Sequence, residues 1–208
     1  MPLSTEPQVH LWTRNEYYKM AEAGLFDGKH VELIQGQVIE MTPTGSLHAT
    51  AVALAARRLE KAFGAGYFVR WQMPLVVSHN TELEPDLAIV RGDVRDYRDS
   101  HPTTAALVVE VSETSLIHDR TKKAGIYARA GIADYWVLNL NDRQLEVHRK
   151  PQANTVSDPP EVPPHSAQPR GDMFPVFSYT DVTVLSERDS VNPLAAPQER
   201  VAVANLLP

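Results

Sequence analysis

The 208-residue sequence contains no cysteine. This absence excludes disulfide bonds, thiolate zinc sites and cysteine nucleophiles, and it is typical of the reducing cytoplasm, where we expect the chain to be located. The sequence also lacks an apolar run near the roughly 20 residues that a membrane-spanning helix needs. Its N-terminus does not show the charged-then-apolar pattern of a secretion signal. We therefore expect no membrane partner.

A basic excess is missing as well. The formal net charge is −6, which argues against a surface broadly dedicated to nucleic acid, although a locally basic cleft could still bind phosphates. The sequence has no glycine-rich phosphate loop, no G-x-S-x-G nucleophile elbow and no histidine pair at the i, i+4 spacing of a zinc helix. With 43% apolar and 22% charged residues, the composition is that of a folded globular domain.

The order of the apolar patterns indicates one mixed α/β domain. A short helix in "RNEYYKMAEAG" has Asn15 as its predicted N-cap and Gly24 as its stop. Two short strands follow around a Gln35-Gly36 turn, and then an amphipathic helix runs from Leu47 to Phe63. Next come three predicted strands, a second helix over about residues 116–130 and two more strands; the three strands are "YFVRWQMPLVV", "LEPDLAIV" and "AALVVEVSE".

We divide the chain into four segments that belong to the same domain. Residues 1–29 form an arm and a short helix, and residues 30–151 form the core. Residues 152–172 are rich in proline and poor in apolar side chains, which predicts an extended or flexible loop. Residues 173–208 contain a strand and a C-terminal tail, "VAVANLLP", that we expect to dock on the core.

Two of the predicted strands each contain one acidic residue, Asp86 and Glu110. An ionised carboxylate is costly in an apolar layer unless it is paired, hydrogen-bonded or bound to a metal. Pro85 has no amide donor, so Asp86 is predicted at an edge, a bulge or a strand end, and the alternative is an aspartate in solvent. Glu110 lies among valines, and its alternative is a half-exposed strand that turns the carboxylate to water.

A lysine is predicted to approach these acids from the second helix. Asp119, Lys123 and Tyr127 share the apolar face of that helix, whereas Lys122 is rotated by about 100° towards solvent. Lys123 then either covers apolar surface with its stem or reaches into a polar site. The alternative is an ordinary surface ion pair between Asp119 and Lys123.

Two carboxylates and a lysine at one place would suit phosphodiester hydrolysis. Carboxylate oxygens are the ligands that Mg²⁺ and Mn²⁺ prefer. Such an ion polarises a phosphoryl oxygen and lowers the pKa of bound water, and a nearby lysine stabilises the attacking hydroxide or the developing charge. The residues therefore predict metal-dependent chemistry on the condition that Asp86, Glu110 and Lys123 converge.

The order of Pro85-Asp86, Glu110 and a following lysine resembles the PD-(D/E)xK nuclease superfamily. The fuller pattern resembles the Uma family of restriction endonucleases over about residues 30–151, and the matching stretches are "VELIQGQVIEM", "TGSLHA", "EPDLAIV", "LVVEVSETS", "DRTKKAGIYARAGIADYWVLNL" and "LEVHRKP". This resemblance implies an α/β fold of the restriction-endonuclease-like type. Its mixed central sheet would be flanked by helices and preceded by an N-terminal helix and hairpin.

The same resemblance implies roles for individual residues. Asp86 and Glu110 would be catalytic ligands of Mg²⁺ or Mn²⁺, Lys123 the catalytic lysine, and Glu32 a further metal ligand or a supporting group. The superfamily usually has its lysine two residues after the strand acid, where this chain has Ser112, so Lys123 would replace it from the helix. The remaining predicted residues form an accessory group and a phosphate-binding group: His48, Ser112 and Asp119 in the first, Arg57, Arg58, Lys61 and Arg91 in the second.

Three functions remain open at the level of the sequence. The favoured one is a divalent-metal-dependent endonuclease that acts on nucleic acid, above all DNA, and whose homodimer would supply two active sites for the two strands. The second is a catalytically silent module that binds nucleic acid or protein on the same fold. The acidic balance favours this module, as do Gln35, Gln37 and Asn139, which stand where relatives often carry acids. The third is a homodimeric scaffold or a toxin-like interaction protein that uses the proline-rich segment.

Overall fold

The computed structural model describes residues 9–154 and 176–208. The predicted N-terminal arm lies outside these ranges for residues 1–8, and the predicted proline-rich loop does so from residue 155 onward. The helical elements are α1 (Arg14–Glu22), α2 (Ser46–Phe63), α3 (Leu116–His118), a π-helical turn (Asp119–Lys123), α4 (Ala124–Arg129) and 3-10 turns at Val94–Tyr97 and Val203–Asn205. The strands are β1 (Val31–Ile34), β2 (Gln37–Glu40), β3 (Tyr67–Trp71), β4 (Leu75–Ser78), β5 (Thr81–Leu83), β6 (Leu87–Arg91), β7 (Leu107–Ser112), β8 (Asp134–Asn139), β9 (Gln144–Asn154), β10 (Val176–Ser186), β11 (Ser190–Val191) and β12 (Val201–Ala202).

Six strands form the larger sheet, in the order β10-β9-β8-β7-β6-β3. Neighbouring strands are antiparallel except β7 and β8, which are parallel and are joined by α3, the π-helical turn and α4. The apolar run "LVVEVS" indicates a central strand covered on both faces, and every residue of β7 is buried between β6 and β8. The predicted class, a mixed α/β fold with helices beside a mixed sheet, is confirmed.

The larger sheet has an apolar core on each face, because alternate residues of a strand point to opposite sides. On β7, Val109 and Val111 belong to the core that α2 and the C-terminal residues build on one face. Val108 belongs to the core on the other face, together with apolar residues of α4 and of the smaller sheet. Glu110 has the same parity as Val108 and is therefore directed to the α4 face.

The C-terminal tail packs on the α2 face of the larger sheet. Val201, Val203 and Leu206 are fully buried in the core on the α2 face. The apolar spacing of "VAVANLLP" therefore reflects docking onto the domain.

A second sheet has four antiparallel strands in the order β2-β1-β5-β4. Its hairpin turns at Gln35-Gly36, as the sequence predicts, and both residues have positive φ angles of 52° and 77°. Glycine is required at the second position, since a Cβ on Gly36 would lie 2.6 Å from the Cβ of Leu11.

Two predicted strands are each divided between the two sheets. "YFVRWQMPLVV" forms β3 in the larger sheet and β4 in the smaller one, and "LEPDLAIV" forms β5 in the smaller sheet and β6 in the larger one. The breaks lie at Gln72, which has a φ of 46°, and at Pro85, which has no amide donor. The prediction that each run forms one strand was therefore wrong, although Pro85 had indicated a strand end at Asp86. The chain crosses between the sheets at these two points.

The first helix begins earlier than predicted. Thr13, and not Asn15, is the N-cap of α1. The Thr13 side chain accepts from the amide of Glu16, and the Glu16 carboxylate accepts from the Thr13 amide at 2.8 Å, which is a capping box. Within the described residues, none of the helices has the length and apolar character to cross a membrane.

Candidate active site

Asp86 lies at the crossing from β5 to β6, where the two sheets meet. The pairing of Leu87 with Val109 places it beside Glu110 on the neighbouring strand. The Asp86 amide donates to Oε2 of Glu110 at 3.4 Å, and the amide of Val111 donates to Oδ2 of Asp86 at 2.8 Å. Asp86 directly precedes the first residue of β6, so its strand-end position is as expected. It is only 8% exposed, so the alternative of an aspartate in solvent is wrong.

Glu110 is 2% exposed on the α4 face of β7. Its Oε1 accepts from Nζ of Lys123 at 3.0 Å and from the hydroxyl of Tyr127 at 2.8 Å. A water-facing Glu110 is therefore excluded, and the buried carboxylate has both an ionic and a hydrogen-bonding partner.

Lys123 ends the π-helical turn and is 5% exposed. Its partner is Glu110, so the alternative of a surface ion pair with Asp119 is wrong. Asp119 is buried and instead accepts from the hydroxyls of Ser112 at 2.7 Å and Ser115 at 2.5 Å. The helix thus directs both residues at the sheet, as their spacing predicts.

His48 and Gln72 hold the carboxylate of Asp86 from two further elements. Nε2 of His48, in the first turn of α2, lies 3.0 Å from Oδ2, and Nε2 of Gln72 donates to Oδ1 at 3.3 Å. The hydrogen bond with Asp86 raises the pKa of His48, although burial acts in the opposite direction. These contacts fix the orientation of Asp86 from α2 and from the β3–β4 connection.

One pocket of about 330 Å³ between the sheets and the start of α2 is lined by Asp86, Glu110, Lys123, Asp119, His48 and Gln72. The pocket is acidic, because its lining contains six carboxyl groups and one lysine. The carboxyl groups belong to Glu32, Glu84, Asp86, Glu110, Glu113 and Asp119, the lysine is Lys123, and three histidines, His30, His48 and His118, complete the ionisable lining. A polyanion could approach this surface closely only if a cation offset the carboxylates.

Glu32 contributes the least satisfied carboxylate of the pocket. It lies on β1, is 2% exposed, and its Oε2 has no hydrogen-bond partner within the described part of the chain. Burial raises the pKa of Glu32, while Lys123 opposes this shift. A buried acceptor without a donor is destabilising unless a proton or a cation satisfies it.

The donor set of the pocket fits a hard divalent cation. Asp86, Glu110 and Glu32 supply carboxylate oxygens of the kind that Mg²⁺ and Mn²⁺ prefer, and the free oxygen of Glu32 is available for such an ion. Among residues 9–154 and 176–208, no three His, Asp or Glu side chains lie close enough together to hold a metal ion without rearrangement. The ammonium of Lys123 provides the positive charge beside Glu110.

The four predicted phosphate-binding residues do not line the pocket. Arg57, Arg58 and Lys61 lie in the second half of α2, and at 1.5 Å per residue Arg58 is about 15 Å along the helix from His48. Arg58 donates to the carbonyl of Arg200 at 2.5 Å. Arg91 lies at the opposite end of β6 from Asp86, with its guanidinium 5.4 Å from the ring centre of Tyr67.

Two residues that contact the acids, Tyr127 and Gln72, were not predicted to belong to the site. Tyr127 lies one helical turn after Lys123 on the same face, and that spacing could have identified it as a partner of Glu110. Gln72 carried no such signal, because its place in the site depends on the crossing between β3 and β4.

Without a metal ion, the stability of the protein is expected to fall as the pH rises. Burial raises the pKa of Glu110 from 4.5 to about 8, with Lys123 opposing this shift. The folded protein therefore keeps a proton that the unfolded chain releases near pH 4.5, so the stabilisation is lost as the pH rises towards about 8. Urea unfolding in EDTA across this range should show the decline.

The matched variant is Glu110→Gln, which removes the titrating group and should flatten this part of the profile. Adding Mg²⁺ to the unmodified protein should also make the decline shallower, because a cation favours the ionised carboxylate. Parallel profiles for the unmodified protein and Glu110→Gln would contradict the assignment of the shift to Glu110.

Comparison with known proteins agrees with this architecture. The crystal structure of "a putative nuclease belonging to DUF820" from Anabaena variabilis ATCC 29413 is similar, with a TM-score of 0.61 over 93% of this chain and 96% of that chain. The sequence identity is 11%, so the similarity concerns the fold. No curated protein matches the chain. The Uma2 family model, described as "Putative restriction endonuclease", matches residues 14–184. Because this match spans most of the sequence, the chain belongs to the Uma2 family.

Proposed function

We propose that this protein is a Mg²⁺- or Mn²⁺-dependent endonuclease that hydrolyses phosphodiester bonds in DNA. The observation that carries the proposal is the convergence of two buried carboxylates and a buried lysine at the junction of the sheets. Asp86 and Glu110 are linked through the amides of Asp86 and Val111, and Nζ of Lys123 lies 3.0 Å from Glu110. The names of the family and of the similar structure support the same reaction class.

Asp86 and Glu110 would hold the metal ion, with Glu32 as a third ligand or a neighbouring acceptor. When bound, the ion would polarise a phosphoryl oxygen and lower the pKa of a water molecule. His48 and Gln72 hold the Asp86 carboxylate in a fixed orientation, which reduces the reorganisation that the reaction requires.

Lys123 would act as a fixed positive charge. Burial alone lowers the pKa of its ammonium, but the carboxylates of Glu110, Glu32 and Asp119 raise it above its ordinary value. The group therefore stays protonated at neutral pH. It would stabilise negative charge that develops on the phosphoryl oxygens and would not act as a base.

Metal binding tests the proposal independently of any substrate. In calorimetric titrations the unmodified protein should bind Mn²⁺ or Mg²⁺, and Glu110→Gln should weaken this binding by about tenfold or more, because one anionic ligand is lost. Glu187→Gln is the matched control, since Glu187 lies outside the pocket and pairs with Arg143. Equal affinities in all three proteins, or no binding at all, would favour the silent binding module instead.

Cleavage assays then address the substrate. Metal-dependent cuts within circular DNA would support an endonuclease, whereas cleavage of RNA alone would contradict the DNA assignment. The homodimer expected from the sequence stays a prediction, which sedimentation of the full chain can measure.

A further inference from the structure

Arg70 is a buried arginine without an acidic partner. It lies on β3 and is 5% exposed. Six other arginines of residues 9–154 and 176–208 form ion pairs with carboxylates: Arg14, Arg95, Arg98, Arg120, Arg143 and Arg149. Within the same ranges Arg70 forms none, and its Nε has no hydrogen-bond partner. Because a buried charge is costly unless a partner offsets it, an anion would stabilise this guanidinium.

The groups around the guanidinium are neutral. Nη2 of Arg70 donates to the carbonyl of Pro74 at 3.4 Å and to Nδ1 of His101 at 3.3 Å, and the ring centre of Tyr97 lies 5.5 Å from Cζ. Arginine can only donate, so Nδ1 of His101 accepts and the imidazole carries no charge. Burial lowers the pKa of Arg70, and the Tyr97 phenol opposes this shift. The positive charge is therefore offset only in part.

One edge of the guanidinium remains available to a ligand. Nη1 of Arg70 makes no hydrogen bond within the described part of the chain, and it is not among the buried atoms without a partner. Its donors are therefore accessible from outside. The planar fork of an arginine matches two oxygens of a phosphate group, and such charge-assisted pairs are strong.

Arg70 lies on the sheet face that carries the acids. It pairs with Ala88 on β6, and Ala88 pairs with Val108 on β7. Ala88 and Val108 have the same parity as Asp86 and Glu110, so all of these side chains leave the sheet on the α4 side. The backbone of Arg70 is one strand away from that of Asp86 and two residues further along, which is about 5 Å across and about 7 Å along the sheet.

The side chain of Arg70 reaches the connection that also borders the pocket. Its contact with the Pro74 carbonyl places the guanidinium against the β3–β4 connection, and the same connection presents Gln72 to the carboxylate of Asp86. Neighbouring phosphates of a nucleic-acid strand are separated by a single nucleotide. A strand with one phosphate in the pocket could therefore offer the next phosphate to Arg70.

The acidic pocket itself supplies little attraction for a nucleic acid. Its lining includes one lysine and no arginine, whereas contacts with backbone phosphates usually dominate affinity. We propose that Arg70 is the centre of a phosphate site beside the pocket, and that this site binds the backbone phosphate next to the one that is cleaved. This inference rests on the proposed nuclease function and specifies how the substrate is held.

A first test needs no nucleic acid. Urea unfolding of the full chain is compared in sodium phosphate and in sodium chloride at the same pH and ionic strength. Phosphate should raise the unfolding midpoint of the unmodified protein more than that of Arg70→Met, because an anion that binds the folded state stabilises it. In chloride, Arg70→Met should be at least as stable as the unmodified protein, since methionine fills the space without a buried charge. A less stable Arg70→Met with the same gain from phosphate would show that Arg70 only supports the fold, and the inference would be wrong.

A second test measures the number of phosphate contacts. Binding of a labelled DNA oligonucleotide is followed by fluorescence anisotropy with Ca²⁺ as the divalent cation, over a series of monovalent salt concentrations. Arg70→Met should bind about tenfold more weakly, whatever the base sequence. Its plot of log affinity against log salt should be shallower by about 0.7 for a single strand or about 0.9 for a duplex, because one phosphate contact is lost.

Arg143→Met is the matched control for the loss of one positive charge. The Arg143 side chain is 46% exposed, pairs with Glu187 and does not line the pocket. Its affinity and salt dependence should equal those of the unmodified protein. An unchanged slope in Arg70→Met, or an equal change in Arg143→Met, would overturn the phosphate site.

The two proposals can fail separately. If the unmodified protein cleaves DNA and Arg70→Met binds and cleaves in the same way, the phosphate site is wrong and the nuclease function stands. If Arg70→Met loses the response to phosphate and the affinity for DNA while the unmodified protein shows no metal-dependent cleavage, the phosphate site stands and the nuclease function is wrong.

Discussion

Asp86→Asn is expected to reduce metal-dependent cleavage by about a thousandfold or more. The substitution keeps the shape of the side chain and a carbonyl oxygen for the amide of Val111, so the fold should persist. It removes the negative charge that would hold the metal ion. Because the ion contributes several kcal/mol to transition-state stabilisation, and each factor of ten corresponds to about 1.4 kcal/mol, the loss should reach about three orders of magnitude.

Asp99→Asn provides the control for this change in charge. The Asp99 side chain is 87% exposed and pairs with the neighbouring Arg98. The cleavage rate of Asp99→Asn should match that of the unmodified protein. All three proteins, the unmodified one, Asp99→Asn and Asp86→Asn, should unfold at similar urea concentrations. Cleavage by Asp86→Asn at the unmodified rate would remove Asp86 from the reaction and would contradict the proposed metal site.

Lys123→Met is expected to lower the free energy of unfolding by about 3–5 kcal/mol at about pH 10, where Glu110 is ionised in the unmodified protein. Methionine fills a similar volume, but it leaves the buried carboxylate of Glu110 without its positive partner, and loss of one member of a buried ion pair has this magnitude. The loss should shrink at lower pH, because Glu110 can then take up a proton and Tyr127 can keep its hydrogen bond.

Lys122→Met tests whether the position of the charge matters. Lys122 is the adjacent residue of the same turn and is only partly buried, and its replacement should change the free energy of unfolding by about 0.5 kcal/mol or less. Urea unfolding of both variants at about pH 5 and about pH 10 gives the comparison. Similar losses in both variants, or a loss in Lys123→Met that does not depend on pH, would show that the ion pair with Glu110 is not the cause.

The central part of the candidate site could be predicted from local periodicity. The parity of β7 determines the side to which Glu110 points, and the spacing of Lys123 and Tyr127 determines the inner face of the helix. Both rules act over a few residues and depend on backbone geometry alone. That is why the acid and the lysine could be matched before their contact was known.

Other features depend on long-range packing that no local pattern reports. Two apolar runs are divided between the two sheets at Gln72 and Pro85, and the residue type of Gln72 does not indicate its positive φ angle. The grouping of Asp86 with Gln72 follows from this division. The distance of a charged side chain from the pocket also depends on long-range packing. The arginines on α2 are of a residue type that often binds phosphate, but they lie farther along the helix and do not line the acidic pocket.

The π-helical turn affects how this lysine is found in other sequences. A π-helical turn contains one residue more than an α-helical turn, and the helix on either side keeps its phase. Here Lys123 follows Glu110 by 13 residues. A relative with an ordinary turn at this point could place the same amine beside the same carboxylate after one residue fewer. An alignment that assumes a constant number of residues between the strand glutamate and the helix lysine would then match Lys123 to the wrong residue of that relative.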